Sequence, residues 1–257
     1  MAKEKSVSRD RLIRYLNEYL SVTSITDDSV NGLQVEGSAR ISRASFAVDA
    51  CLKTIRAAAR NRANILIVHH GLFWSGTHQR IIGVMRERIL ALLANGISLY
   101  ASHLPLDGHD VVGNNVELSR ILGFENLGKF GSYKGTKIGV IARPEKVLRR
   151  EELVKRLEKK LEAQVEMLPF GPRGVKKVGI VSGDAGFLAT NAKEEGCDTL
   201  ITGETSHVVY HFAKEARVNV IYAGHYASET VGLKALARHI RERFPIVCKF
   251  ISAPTGY

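Results

Sequence analysis

The chain has 257 residues, which is enough to bury one large core or two modest ones. Its hydrophobic content of 45% is ordinary for a globular protein, and no apolar run approaches the ~18 residues of a membrane helix, which argues against a membrane protein. The 37 basic and 26 acidic side chains give a net charge of +11, which favours anionic partners such as nucleotides, nucleic acid or phosphorylated metabolites. A solvated basic surface is the simpler interpretation of the same charge.

Strand and helix patterns alternate through the first half of the chain. The apolar run from Ile65 to Val68 is typical of a buried parallel strand. Gly96 and Gly123 are signals for the ends of helices. The predicted elements are a helix over 8–20, strands at 33–35 and 45–49, a helix over 52–62, a strand at 65–68, a helix over 82–95, a strand at 97–100 and a helix over 112–122.

The second half repeats this alternation, which predicts βαβ units. Its predicted elements are strands at 137–142 and 175–182, helices over 146–162 and 187–195, a strand at 199–202, a helix over 207–216, a strand at 218–223, a helix over 228–244 and a strand at 247–252. The expected fold is therefore α/β, with two similar α/β halves and mostly parallel sheets. We place an N-terminal domain at 1–126 and a C-terminal domain at 127–257, with the final helix and strand as segments that could pack back on the first domain.

The three cysteines, Cys51, Cys197 and Cys248, are far apart and odd in number. They form no CxxC pair and indicate no disulfide framework. A reducing compartment is therefore expected, and the predicted location is cytoplasmic.

Histidine and carboxylate side chains lie in three short stretches, each beside a predicted strand end or helix start. His69 and His70 follow a strand, Asp107 lies in a turn, and His225 and Glu229 are four residues apart. Imidazole and carboxylate ligands suit borderline divalent ions such as zinc, nickel, manganese or iron. Because one catalytic ion usually takes three protein ligands, five ligands with two carboxylates suit a site with two ions roughly 3.5–4 Å apart.

Each of these residues also has a simpler structural interpretation. Consecutive strand residues point to opposite faces, so His69 and His70 can be one ligand and one hydrogen-bonded core histidine unless the strand bends at Gly71. A lone aspartate in a loop, such as Asp107, is usually a turn or helix-capping residue. A His/Glu pair spaced by four residues is also common on helix surfaces.

Other histidines and one glycine-rich turn have weaker signals. His103 and His109 flank the loop aspartate, and either suits a ligand, a general acid or base, or a partner that orients another ligand. His207 and His211 are spaced by four, but valine follows the first, so the HExxH zincin pattern is absent and structural or pocket-lining roles are favoured. The turn at 183–186 follows a strand, but without a GxxxxGK sequence it is weak support for nucleotide binding.

Five blocks in a fixed order resemble the NIF-three-like family, whose members are also called GTP cyclohydrolase 1 type 2 homologs. No single block is specific to the family, but five blocks in the right order are a specific signal. The resemblance spans nearly the whole chain. The matching blocks are Asp28–Val35, Val68–Trp74, Ser102–Asp107, Asp198–Glu204 and Gly224–Thr230.

The resemblance implies a two-domain α/β fold with a dinuclear metal site, often in a hexameric ring with the metal sites facing its interior. This chain is too short for the extra domain that longer members carry in mid-chain. Some members have proline where this chain has Gly71, and Thr-Asn where it has Leu104 and Pro105. These differences bear on the shape of the loops and not on the metal ligands. By motif, the implied ligands are the same five residues, His69, His70, Asp107, His225 and Glu229.

The leading functional hypothesis is a dinuclear metal-dependent hydrolase acting on a nucleotide or related heterocycle. Two zinc, iron, manganese or nickel ions would generate a hydroxide nucleophile. Asp107 and Glu229 are the candidate bridging carboxylates, and His103 is the candidate catalytic residue for proton transfer to a leaving group. An anionic small-molecule substrate suits the positive charge. The alternatives are a non-enzymatic metal-binding, metal-handling or regulatory protein, and a homohexameric ring whose basic residues bind single-stranded nucleic acid.

Overall fold

The computed structural model describes residues 5–76, 80–204 and 206–256. The chain divides into two compact units, the first formed by residues 1–106 and 233–253 and the second by residues 107–232 and 254–257. Each unit contains one large sheet with helices, so the predicted α/β fold class is confirmed. Within the described ranges, no helix is long and apolar enough to cross a membrane.

Strands and helices alternate along parts of the described chain, but three runs of consecutive strands interrupt this alternation. Up to residue 122 the elements are β1 Val7–Ser8, α1 Arg9–Tyr19, β2 Gly32–Val35, β3 Arg40–Ile41, β4 Arg43–Asp49, α2 Leu52–Arg60, β5 Ile65–His70, α3 Gly83–Ala94, β6 Ser98–Ala101, α4 Leu104–Asp107 and α5 Asn114–Leu122. After it they are β7 Glu125–Tyr133, β8 Thr136–Arg143, β9 Leu148–Arg149, α6 Arg150–Leu161, β10 Glu166–Pro169, β11 Gly174–Val175, β12 Val178–Ile180, a 3₁₀ turn Gly186–Leu188, α7 Ala189–Glu194, β13 Thr199–Thr202, α8 His207–Ala216, β14 Asn219–Tyr222, α9 His225–Arg243 and β15 Val247–Phe250.

The main sheet of the first unit is mostly parallel, with strands in the order β15-β4-β5-β6-β2. β5 lies between two parallel neighbours, and only β2 at the edge is antiparallel. Leu66 and Val68 of β5 are fully buried against Ile55 and Ala58 of α2 in one apolar cluster. This burial explains why the strand is a continuous apolar run up to its last two residues.

The main sheet of the second unit mixes both directions, in the order β10-β14-β13-β12-β8-β7. β12, β13 and β14 are parallel, whereas the outer strands are antiparallel. β7, over Glu125–Tyr133, has no counterpart among the predicted strands because most of its side chains are exposed and it contains two glycines, Gly128 and Gly131. β7 therefore forms because it pairs with β8, and not because of its own hydrophobic pattern.

A fully buried phenylalanine of β7 lies across two glycines of the neighbouring strands. Phe130 is opposite Gly139 of β8, and a Cβ atom at Gly139 would lie 2.5 Å from the ring. A Cβ atom at Gly179 of β12 would lie 2.7 Å from the same ring. The two glycines therefore make the space that this ring fills in the sheet core.

We expect Gly139→Ala to lower the free energy of unfolding by about 1–3 kcal/mol, because the new methyl group overpacks the ring of Phe130. Urea unfolding measures the change. Phe130→Leu removes the opposing ring atoms, so the double variant should lose less than the sum of the two single variants. An unchanged stability for Gly139→Ala would contradict this account.

Candidate functional site

The central strands of the first unit end in a group of polar side chains. β5 ends at His69 and His70, and the parallel strand β4 ends at Asp49. The strand register places Asp49 directly opposite His70. Because the carboxyl ends of parallel strands are where α/β folds place their sites, this edge is the natural position for a functional site.

His69 is fully buried, and the hydrogen bond of one ring nitrogen sets its tautomer. Its Nδ1 lies 3.0 Å from the backbone carbonyl oxygen of Ser102. A carbonyl oxygen only accepts, so Nδ1 carries the proton and donates. The lone pair of a neutral imidazole is then on Nε2, which is the arrangement of a histidine metal ligand.

His70 has the same arrangement with a carboxylate in place of the carbonyl group. Its Nδ1 lies 2.9 Å from Oδ1 of Asp49. The carboxylate orients the ring and increases the basicity of Nε2, as carboxylate partners do for ligating histidines. Both histidines at the end of β5 therefore have their lone pair on Nε2.

His103 is held by the loop that precedes β2. Its Nδ1 lies 2.9 Å from Oδ1 of Asp27, and its backbone N–H donates to Asn31 at 2.8 Å. Burial raises the pKa of Asp27, but hydrogen bonds from His103, Asn31 and the amide of Ser29, together with the charge of His103, outweigh it and hold that pKa well below its usual range. Asp27 therefore remains a carboxylate and accepts the Nδ1 proton of His103.

The imidazole rings of His69, His70 and His103 in the first unit form one group, called here the histidine cluster. The ring centroids of His69 and His103 are 4.9 Å apart, and those of His70 and His103 are 5.7 Å apart. One nitrogen from each of His69, His70 and His103 lies within 4.8 Å of the others, so the cluster could hold a metal ion. The ring of Trp74 stands edge-on to His103 at 5.0 Å and shields one side of the cluster.

In the second unit, Asp107 is a buried carboxylate with two fixed donors. Its Oδ1 accepts a hydrogen bond from Asn114 Nδ2 at 2.8 Å and one from Ser182 Oγ at 2.9 Å. The side chains of Asn114 and Asn115 continue this network, since Asn115 accepts from the backbone N–H of Ser182 at 2.7 Å. These bonds orient the carboxylate and offset part of the cost of burying its charge.

α9 begins at His225, three residues earlier than the predicted helix, so His225 and Glu229 lie on one face of its first turns. Nε2 of His225 lies 3.0 Å from Oε1 of Glu229, which is 2% exposed. Nδ1 of His225 is hydrogen-bonded to Oε1 of Glu204, which follows β13. The three side chains, His225, Glu229 and Glu204, are called here the His–Glu group.

The geometry of the His–Glu group calls for a positive charge between two of its atoms. Because Nδ1 of His225 donates to Glu204, the neutral ring has a lone pair on Nε2. That lone pair faces a carboxylate oxygen of Glu229 at 3.0 Å. Two acceptors at this distance repel unless a proton or a cation lies between them, so this pair suits shared coordination of one divalent ion.

The glycine-rich turn at 183–186 packs against the His–Glu group. Gly183 has a φ of +68°, and a Cβ atom there would lie 2.6 Å from Oε1 of Glu229. Its carbonyl oxygen accepts from the amides of Gly203 and Glu204 at 2.8 and 3.1 Å. The turn therefore supports the buried carboxylate, and a carboxylate neighbour disfavours a phosphate ligand there.

The remaining histidines singled out in the sequence have other surroundings. Nδ1 of His109 accepts hydrogen bonds from the amides of Val111 and Val112 at 3.1 Å, which is a turn-stabilising role. His207 and His211 line a groove of about 570 Å³ beside β10 and α8.

The structure also adds partners that the sequence patterns did not assign a role. Asp27, Asp49 and Glu204 each accept the Nδ1 proton of a candidate histidine. Glu204 falls in one of the sequence blocks that resemble the NIF-three-like family, which is the one signal that could have pointed to it. Asp27 and Asp49 are aspartates beside a turn and a strand end, which is common without function.

The fold and these side chains define a two-unit α/β protein whose histidine and glutamate groups could hold metal ions. The sequence profile of the Duf34/NIF3 (NGG1p interacting factor 3) family matches residues 7–255, and the chain belongs to this family. The resemblance stated from the sequence is therefore confirmed.

Curated relatives and solved structures agree with this assignment. The chain is 46% identical to a GTP cyclohydrolase 1 type 2 homolog of Pyrococcus abyssi over 97% of this chain and 100% of that one. It is 43% identical to the homolog of Archaeoglobus fulgidus over 95% of this chain and 98% of that one. Among solved structures it is similar to protein ybgI, of unknown function (TM-score 0.93, 32% identity, coverage 98% and 100%), and to TTHA1606 from Thermus thermophilus (TM-score 0.87, 39% identity, coverage 98% and 100%).

We expect Gly183→Ala to be more destabilising than Gly196→Ala, although both glycines have a positive φ, +68° and +75°. Both variants carry the backbone cost of about 1–2 kcal/mol for a left-handed residue. Only the first also places a methyl group against Glu229, because the nearest atom at Gly196 is 3.9 Å away on a lysine side chain. Urea unfolding of both variants tests this, and equal losses would show that Gly183 does not support the carboxylate.

Proposed function

We propose that this protein is a dinuclear metal-dependent hydrolase that acts on a nucleotide or a related heterocycle. The observation that carries the proposal is the shared tautomer of four histidines: His69, His70, His103 and His225 each have Nδ1 engaged by a fixed acceptor. Each neutral ring therefore has its lone pair on Nε2, the atom that a metal ion or a proton would take.

The donor set fits borderline divalent ions rather than magnesium or calcium, because three of the five proposed ligands are imidazoles. The proposed ions are two of zinc, iron, manganese or nickel. The proposed ligands are His69, His70, Asp107, His225 and Glu229, with Asp107 and Glu229 as bridging carboxylates. Support comes from the burial of both carboxylates, at 6% and 2% exposure, since a buried anion is stabilised by a bound cation.

When bound, the ions would lower the pKa of a coordinated water to about 7 and so supply a nucleophile at neutral pH. The chain's own residues then position the substrate and move protons. His103 is the proposed proton-transfer residue, because Asp27 accepts its Nδ1 proton and so fixes its tautomer. This His–Asp arrangement lets Nε2 of His103 accept or donate a proton without rotation of the ring.

The substrate class and the assembly are proposals of the same kind. The curated relatives are named GTP cyclohydrolase 1 type 2 homologs, which suggests a cyclohydrolase-type reaction, in which water attacks an electron-poor carbon of a purine ring. The net charge of +11 suits an anionic substrate, and single-stranded nucleic acid remains a further proposed partner. We propose a homohexamer from the family resemblance, and a cytoplasmic location because Cys51, Cys197 and Cys248 are all free thiols.

The test is a screen of the purified protein after metal removal and reloading with each ion in turn, with nucleotides, including GTP, and phosphate esters as substrates. We expect turnover of one nucleotide class with at least one ion. Asp27→Asn should keep the metal but lower kcat on the order of 10²-fold, because the ring of His103 loses its orienting charge. No turnover by fully loaded protein would overturn the hydrolase and leave a metal-handling role.

We expect Glu229→Gln to lose more bound metal than His103→Gln. A carboxylate shared between ions offsets their charge, and an amide cannot, whereas His103 is assigned to proton transfer. Elemental analysis of both variants, purified in parallel, gives the metal content per chain. Equal metal content in the two variants would remove Glu229 from the set of ligands.

A further inference from the structure

A small basic cavity lies at the amino-terminal edge of the first sheet. It has a volume of about 330 Å³ and is lined by the starts of β4 and β15 and the end of α2. Arg43, Arg60, Arg62 and Lys249 are four of its eight lining residues, and none of the eight is acidic. A volume of this size is at the lower end of the range for small-molecule pockets. This cavity is called here the basic pocket.

A buried serine adds a second, independent feature to the basic pocket. Ser45 is 1% exposed, and its Oγ has no hydrogen-bond partner among the described residues. It is the strand partner of Lys249, so both side chains project from the same face of the sheet. That face also carries Ala47, which packs in one cluster with Ile55 of α2, so the hydroxyl lies on the side where α2 borders the pocket. A buried hydroxyl with no partner is costly, and a ligand in the pocket would satisfy it.

The lysine of the basic pocket is already positioned. Nζ of Lys249 donates to Oδ1 of Asn61 at 2.9 Å, which holds the ammonium group at the rim. The amide nitrogen of Asn61 is on the other side of the same group and is a further donor for an anion. Ordering these donors in advance lowers the entropic cost of binding.

A structural role accounts for only part of this arrangement. Arg60 and Arg62 lie at the carboxyl end of α2, where cations stabilise the helix dipole. That role does not explain why Arg43 and Lys249 join them from two strands, or why the hydroxyl of Ser45 is buried without a partner among the described residues. Cations gathered in one small cavity repel each other, and a bound anion relieves the repulsion.

We propose that the basic pocket binds the phosphate group of a small phosphomonoester. A phosphomonoester carries about −1.5 to −2 charges and three strong acceptor oxygens, which match several guanidinium and ammonium donors and one serine hydroxyl. Arginine is suited to this because its planar fork donates two parallel hydrogen bonds to phosphate oxygens. Ser45 Oγ is the donor at the base of the site, and Lys249 and the arginines surround the rim.

The basic pocket is separate from the histidine cluster. Arg43 begins β4 and Asp49 ends it, so the two sites lie at opposite ends of one strand, about 20 Å apart at roughly 3.3 Å per residue. A ligand in the basic pocket therefore does not reach His70. The inference is independent of the proposed hydrolase, because it rests on different residues and its test needs no turnover.

The test measures binding of inorganic phosphate and of AMP by isothermal titration calorimetry, with the unmodified protein and the variants Ser45→Ala and Lys249→Gln. Each variant should weaken phosphate binding about tenfold, because each removes one hydrogen bond to a charged ligand. Ser45→Ala should leave the melting temperature without phosphate unchanged or raised, since its hydroxyl has no partner in the described part of the chain to lose. Loss of folding stability together with loss of binding would instead assign Ser45 a structural role.

Two matched controls identify the site that binds. Lys159→Gln changes the net charge equally at an exposed position of α6 and should not alter phosphate binding. Glu229→Gln should also leave phosphate binding intact, because it alters only the proposed metal ligands. Binding lost in either control but kept in Ser45→Ala would overturn the proposal. Preference for a single-stranded oligonucleotide over both phosphate and AMP would overturn the monoester and favour a phosphodiester of nucleic acid.

Discussion

The position of one proton on each candidate histidine is the constraint on which the proposed chemistry depends. A backbone carbonyl at Ser102 and the carboxylates of Asp49, Asp27 and Glu204 are chemically different acceptors, yet each engages Nδ1. An imidazole fixed in this way cannot exchange its two nitrogens by a ring flip without losing a hydrogen bond. The direction of every lone pair is therefore set by the fold before any ligand arrives, which is the preorganisation that metal sites and proton-transfer sites require.

Preorganisation has a cost that is visible in the burial of the carboxylates. Asp107 and Glu229 are almost fully buried, and removal of an anion from water costs several kcal/mol unless hydrogen bonds or a cation compensate. Asn114 and Ser182 compensate in part for Asp107, whereas Glu229 faces the Nε2 lone pair of His225 and needs a cation between the two atoms. A bound divalent ion would add to this and stabilise the folded state by mass action. The same residues thus link folding stability to metal supply.

The two ends of β4 carry opposite charges. β4 runs from Arg43 in the basic pocket to Asp49 beside His70, so one strand has a cationic and an anionic end. A basic surface around a metal site would repel divalent cations, whereas a distant one leaves the local potential of the histidine cluster to its own carboxylates. The net charge of +11 is therefore compatible with a cation site, because the positive side chains in this unit include a group that lies at the far end of the sheet.

Local sequence alone determined the elements whose formation depends on neighbouring residues. The sequence predicts three such features: the apolar run of β5 that ends in His69 and His70, the helix ends at Gly96 and Gly123, and the four-residue spacing of His225 and Glu229. Each can be predicted because a hydrophobic run, a left-handed glycine and helical periodicity are properties of neighbouring residues. The fold class followed from the alternation of these elements.

Tertiary structure decided which side chains meet. β7 and β10 form because they pair with β8 and β14, and the hydrogen bonds of this pairing stabilise them. Their own hydrophobic patterns are too weak to predict them. Asp49, Asp27 and Glu204 lie 21, 76 and 21 residues from the histidines they orient. The burial of the Ser45 hydroxyl, which has no partner among the described residues, could not be predicted from the sequence either. Such contacts depend on strand register and loop path, which are set by long-range packing, so no local propensity encodes them.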